Sequence, residues 1–178
     1  MSRLDRGIVI VGFMGAGKTT VGRELARRMD CPMADLDEFI VGREGRAIAD
    51  LINSGGETRF RSIESSALSD LIGEQKSGVI ALGGGTWTIR ENRETITAAG
   101  WISVWLDTPF ELCWSRIAES SELRPLAADQ TEARALYDGR QAAYRLADHC
   151  VSGAAGVSLA DLASSIMAWV RDVTDSPQ

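Results

Sequence analysis

The sequence predicts an α/β fold, a parallel sheet covered by helices, and three observations carry that reading. Short, almost wholly apolar runs (Ile8–Val11, Gly78–Leu82, Trp101–Leu106) alternate with longer stretches whose apolar residues recur at helical spacing. That is the pattern left by strands buried on both faces and joined by crossover helices. A glycine-rich segment, Gly12–Thr19, stands between the first apolar run and the first amphipathic stretch. The chain has 178 residues and no Pro/Gly/Ser linker or internal repeat, so residues 1–178 are expected to form a single domain with one core.

Taken in order, Ile8–Val11 reads as the first strand. Thr19–Met29 follows as a helix with Val21, Leu25 and Met29 on one stripe. Pro32–Leu36 is a short second strand. Ile40–Ile52 is helical but interrupted by Gly42 and Gly45, and Glu57–Ile72 is a long helix with Phe60, Ile63, Ala67 and Leu71 in line. Gly78–Leu82 is the third strand and runs into Gly83-Gly84-Gly85. Ile89–Ala99 is a helix. Trp101–Leu106 is the fourth strand, expected at the centre of the sheet because its apolar run is unbroken. Phe110–Ile117 is helical. Glu119–Asp129 has little apolar periodicity and contains Pro125; a loop of that length in a compact domain suits a lid over a site. Thr131–Leu146 returns to helix, His149–Val151 is an edge strand, and Leu159–Val170 closes the chain before a frayed end at Thr174–Gln178.

Composition removes several classes of function. The net charge is −6 with no basic stripe, which argues against nucleic acid as a partner. No apolar run approaches the ~20 residues that span a bilayer, and the N-terminus lacks the apolar core of a secretory signal. A cytoplasmic monomer with no membrane partner is expected. Cys31, Cys113 and Cys150 are odd in number and far apart, without metal or redox spacing, and read as free thiols in a reducing compartment. His149, the single histidine, reads as structural or surface. The five tryptophans read mostly as core.

The strongest chemical signal is Gly12-Phe13-Met14-Gly15-Ala16-Gly17-Lys18-Thr19, a full match to G-x-x-x-x-G-K-[ST]. The glycines permit a backbone turn that directs several N–H groups at one point. The helix that starts there adds its positive end. Lys18 supplies a point charge for β- and γ-phosphates, and Thr19 a hydroxyl for Mg²⁺. ATP or GTP with Mg²⁺ is thus implied, but not the phosphate's destination. A glycine-rich structural turn is the bland alternative.

Ligands of an open α/β sheet bind beyond the carboxyl ends of its strands. The second strand exits at Asp35-Leu36-Asp37, where alternation on an extended segment would put both carboxylates on one side. One suits a metal-bound water and the other the proton of an attacking hydroxyl; either also suits a helix N-cap. The third strand exits at Gly83-Gly84-Gly85, bare backbone where something must approach closely, or else a flexible turn. Asp107 resembles a metal-binding acid, but Thr108-Pro109-Phe110-Glu111 reads as a capping box and favours a structural corner. Arg59, Arg61, Arg116, Arg124, Arg140 and Arg145 remain. Arginine's planar fork suits carboxylate and phosphate, and Arg124, beside Pro125 in the loop, suits a transferring phosphoryl group.

Gly12–Thr19, Asp35-Leu36-Asp37, Phe60-Arg61 with Glu64, Gly83-Gly84-Gly85, Arg124-Pro125-Leu126, and Arg140 with Tyr144 together resemble shikimate kinase, in order and approximate spacing from residue 8 to residue 150. The resemblance implies a P-loop kinase with a five-stranded parallel sheet sandwiched by helices and a lid loop. It implies transfer of the ATP γ-phosphoryl to the 3-hydroxyl of shikimate, with Mg²⁺, on the route to aromatic amino acids. By match, Asp37 would be the base on the reacting hydroxyl and Asp35 would lie near Mg²⁺ through water, with Thr19 as its direct ligand. Arg61 and Arg140 would clamp the substrate carboxylate, with Gly83, Gly84 and Gly85 alongside and Gly84 as the donor of an N–H. Gly12, Gly15, Ala16, Gly17, Lys18, Thr19 and Thr20 would line ATP, Arg124 would be the lid arginine, and Arg116 would lie near adenine. Residues 40–69 would be a substrate-binding helical insertion and 119–129 the lid. Trp87 is bulky for a position near the pocket, and Cys150-Val151-Ser152-Gly153 lacks an acidic residue often found there. A kinase for gluconate or a nucleotide is the alternative enzyme. A non-catalytic module of the same family would be expected to lose Lys18, Asp37 or Arg124, and all three are present.

Overall fold

The computed structural model describes residues 6–75, 77–120 and 129–175. Five strands, β1 (Ile8–Val11), β2 (Met33–Asp35), β3 (Val79–Ala81), β4 (Ile102–Asp107) and β5 (His149–Ser152), form one sheet in the order β2-β3-β1-β4-β5. All pairings are parallel, with Ile8 set between Val79 and Ile102. The helices are α1 (Lys18–Met29), α2 (Leu36–Glu44), α3 (Ile48–Glu74), α4 (Arg90–Ala98), α5 (Phe110–Glu119), α6 (Gln130–Tyr144) and α7 (Leu159–Asp175), and Thr86–Thr88 makes a 3₁₀ turn.

The unbroken apolar runs occupy the sheet interior, as expected, but β1 rather than β4 is its centre. Every residue of β1 is fully buried, which requires cover on both faces. β4 lies between β1 and β5. β5 is the expected edge, with only Val151 of its four residues buried. His149 stacks on Trp169 at 4.5 Å between ring centroids, a structural contact. Among the described residues no helix is long and apolar enough to cross a membrane. Cys31, Cys113 and Cys150 are free.

Four local expectations need correction. The helix expected at Ile40 begins at Leu36, because the Asp35 carboxylate caps it, accepting the N–H of Asp37 (2.9 Å) and of Glu38 (3.3 Å). Leu36 and Asp37 are therefore helical, and the two aspartates do not project side by side from a strand. The helix also ends earlier, at Gly45, and residues 48–52 belong to α3. Gly56, at φ 77°, breaks α3 internally, where a residue with a Cβ would be strained.

Third, the capping box at Thr108 does not form. No side chain caps α5, whose N-cap is Pro109, and the Thr108 hydroxyl donates instead to the carbonyl of Ala16 (3.1 Å). Glu111 pairs with Arg134 (3.0 Å). Fourth, Trp87 does not crowd a pocket. Its indole is buried and donates Nε1–H to the Ala143 carbonyl (3.0 Å), which ties the turn after β3 to α6.

Candidate active site

The ends of β1, β2 and β3 bring two structures together, a main-chain loop and a charged cleft. The loop is residues 12–17, leading into α1. Gly15 sits at φ 75° and so close to α5 that a Cβ would lie 2.5 Å from the Cys113 carbonyl oxygen. The loop can pack against α5 only with glycine there. Lys18 opens α1 and its Nζ donates to the Phe13 carbonyl (2.9 Å). The Arg116 guanidinium, from α5, donates to the carbonyls of Gly15 (3.0 Å) and Ala16 (3.1 Å). Thr20 is exposed in the first turn of α1.

One contact joins the loop to β2. The Thr19 hydroxyl donates to Asp35 Oδ2 at 2.5 Å, while Asp35 Oδ1 caps α2. A hydroxyl and a carboxylate oxygen side by side are hard donors of the kind Mg²⁺ takes, one or two from protein and the rest from phosphate and water. Thr19 and Asp35 could therefore serve a nucleotide-borne Mg²⁺.

The cleft has a volume of about 940 Å³ and is lined by Met14, Asp37, Phe60, Arg61, Glu64, Gly83, Gly84, Gly85 and Arg140, with Val41, Ile48 and Ile52 on its apolar side. Met14 belongs to the loop, so the two structures are contiguous. Asp37 is exposed to the cleft, and its Oδ1 would stand 3.0 Å from a Cβ placed on Gly83. A Cβ on Gly84 would stand 3.2 Å from Arg140 Nη1, and one on Gly85 2.5 Å from Arg61 Nη2. The glycine triplet is thus what lets Asp37, Arg140 and Arg61 close on one point.

Each arginine is held from behind. Arg61 donates to Glu64 (2.8 Å) and Glu57 (3.1 Å). Burial works against its charge, but the Glu64 and Glu57 carboxylates outweigh that and raise its pKa above the ordinary arginine value. Glu64 is itself almost wholly buried and accepts the Thr86 hydroxyl with its other oxygen (2.7 Å), so a charged group inside the protein is fully partnered. Arg140 is buried over the Phe13 ring. Burial lowers its pKa, with the Arg61 charge acting the same way. The Arg61 and Arg140 guanidinium groups line the cleft together with the Asp37 carboxylate, so the space offers forked N–H donors for an anionic group and an acceptor for a hydroxyl.

Tyr144, buried behind the cleft, braces the glycine triplet. Burial pushes its phenol up to about 12, so it remains protonated and donates to the Gly84 carbonyl at 2.5 Å.

Asp37, Arg61, Gly83, Gly84, Gly85 and Arg140 therefore line one cleft beside the Gly12–Thr19 loop. Arg59 and Arg145 are exposed and outside its lining. Asp107 is not the acid beside Thr19; Asp35 is. Arg124 and most of the expected lid, residues 121–128, lie outside the described residues. The reading from sequence did not find Thr86, which follows the glycine triplet, or the backing contacts of Tyr144 and Glu64. Glu64 meets Thr86 across 22 residues and Tyr144 meets Gly84 across 60, so neither contact leaves a local pattern.

A family model described as shikimate kinase matches residues 14–171. A shikimate kinase of Ruegeria pomeroyi is 35% identical over 93% of this chain and 85% of its own length. The solved shikimate kinase of Acinetobacter baumannii in complex with shikimate superposes with a TM-score of 0.88 at 32% identity, covering 98% of this chain and 97% of that one. A gluconokinase of Sinorhizobium meliloti superposes with a TM-score of 0.65 at 15% identity over 97% of this chain and 95% of that one, a likeness of fold alone.

Proposed function

Because the chain belongs to the shikimate kinase family, we propose that it phosphorylates the 3-hydroxyl of shikimate with ATP, giving shikimate 3-phosphate and ADP for aromatic amino-acid biosynthesis. The observation that carries this reading is the cleft itself. Asp37, Arg61, Arg140 and three glycines surround a space for a small carboxylate-bearing alcohol, next to a phosphate-binding loop.

Phosphoryl transfer leaves a protein little covalent work, so positioning and charge dominate. In this reading Arg61 and Arg140 bind the acceptor carboxylate through paired N–H groups, and a glycine N–H of the triplet, that of Gly84, adds a further donor. Asp37 lies where the reacting hydroxyl would be, accepts its proton and aims its oxygen. The new O–P bond forms as the bond to the β-phosphate bridging oxygen breaks, and ADP leaves. Lys18 and the N–H groups from Gly12 to Thr20 hold the phosphates. Thr19 would ligate Mg²⁺ directly and Asp35 through water, and the ion would supply positive charge to the β- and γ-oxygens. Arg124, in the Arg124-Pro125-Leu126 motif, supplies a further cation, and Arg116 lies on the adenine side. Residues 40–69 serve as the acceptor-binding insertion and 119–129 as the lid, within one domain. The three free cysteines support a cytoplasmic setting.

An ADP-release assay with shikimate, quinate, gluconate and nucleoside monophosphates in parallel tests this. ADP release that depends on shikimate and exceeds that with every other acceptor is the expected result. A higher kcat/KM with gluconate or a nucleotide would replace the proposed acceptor.

A further inference from the structure

The corner between β4 and α5 touches the phosphate loop from behind, through contacts that no role assigned above uses. Thr108 is almost wholly buried. Its hydroxyl donates to the Ala16 carbonyl (3.1 Å), which also accepts from Arg116 (3.1 Å). Thr108 is fixed in turn, since its own carbonyl accepts the Tyr137 hydroxyl (3.1 Å) and the Cys113 thiol (3.6 Å). Gly153, just past β5, lies so close that a Cβ there would overlap the Thr108 hydroxyl. Its lack of a side chain leaves room for that hydroxyl to reach Ala16.

From this geometry we infer that Thr108 is a positioning residue for ATP, aiming a main-chain donor of the phosphate loop, and that Gly153 is required for it to do so. The Ala16 carbonyl and the Gly17 N–H belong to one planar trans peptide and point in opposite directions. A carbonyl held on the α5 side by two donors therefore fixes the Gly17 N–H toward the phosphate side. A cradle of amides acts only if the donors are aimed before the anion arrives, because reorienting a peptide on binding subtracts from affinity. Thr108 touches no substrate and would act only through Ala16. The inference rests on the reading of residues 12–19 as an ATP site.

The test compares wild type with Thr108→Val, which keeps the shape and removes the hydroxyl, Thr108→Ser, which restores it, and Gly153→Ala, which displaces it. Steady-state KM for ATP and for shikimate are measured, with ATP affinity from calorimetry without acceptor. Loss of one buried hydrogen bond predicts an ATP KM and Kd raised by about five- to tenfold in Thr108→Val and in Gly153→Ala. The shikimate KM stays unchanged, and Thr108→Ser returns to near wild type. If Thr108→Val fails to fold, Gly153→Ala decides, since its side chain acts on the same hydroxyl. Wild-type ATP KM and Kd in folded variants would overturn the inference, as would equal rises in both KM values. A wild-type chain that binds no ATP would overturn the ATP site itself as well.

Discussion

Thr19 and Asp35 are joined by a 2.5 Å hydrogen bond that divides one carboxylate between two tasks. Asp35 Oδ2 faces the threonine at the start of α1, while Oδ1 starts α2 by accepting two main-chain N–H groups. The contact ties the strand that ends in Asp35 to the phosphate loop, and the cap places Asp37 in the first helical turn, at the mouth of the cleft.

Because the tasks use different oxygens, they separate by substitution. Asp35→Asn keeps an oxygen for the cap but puts an amide where Thr19 needs an acceptor. It should leave stability nearly unchanged, while Asp35→Ala should cost about 1 kcal/mol in urea unfolding. Both should raise the Mg²⁺ concentration needed for half-maximal turnover. Equal stability of the two variants would remove the cap from the account.

The acceptor side depends on the fork of Arg61 and on the bare backbone of Gly85. Arg61→Lys cannot form paired bonds to a carboxylate, and Gly85→Ala puts a methyl group into the space of the guanidinium. Each should raise the shikimate KM by about tenfold or more, the worth of a charged hydrogen bond, with the ATP KM unchanged. A shift confined to the ATP KM would place Arg61 outside the acceptor site.

His149 makes a clean pH probe because it is the only histidine. Burial against Trp169 lowers its pKa below the ordinary 6.5. Between the folded value and 6.5 the unfolded chain binds more protons, so stability rises with pH through that window and falls on acidification. NMR titration of the single imidazole should give a midpoint below 6.5, and His149→Gln should flatten the stability profile there. A midpoint at or above 6.5 would contradict the burial argument.

The parts legible in the sequence are the local ones. Four apolar residues followed by Gly12, Gly15 and Gly17 and then Lys18-Thr19 are enough to predict β1, the loop and α1. The glycine triplet and Asp37 stand at strand ends, where α/β folds bind ligands. The remainder depends on contacts that only the fold creates. Thr108 meets Ala16 across 92 residues and Tyr144 meets Gly84 across 60. The same threonine satisfies a capping-box pattern on paper, but in the fold a buried carbonyl is the partner it meets. At Asp35 the N-cap alternative prevails over the extended exit, and α2 therefore starts at Leu36 rather than Ile40. The centre of the sheet went to β1 because strand order is set by crossovers, and run length carries no information about them.

The central claim is that Asp37 receives the proton of the acceptor alcohol while Arg61 and Arg140 hold its carboxylate. Single-turnover phosphoryl transfer by Asp37→Asn, with shikimate and ATP both saturating and shikimate affinity measured separately, tests it most directly. The account predicts a rate reduced by about 10²–10⁴-fold with little change in affinity for either ligand. Transfer at the wild-type rate would contradict it.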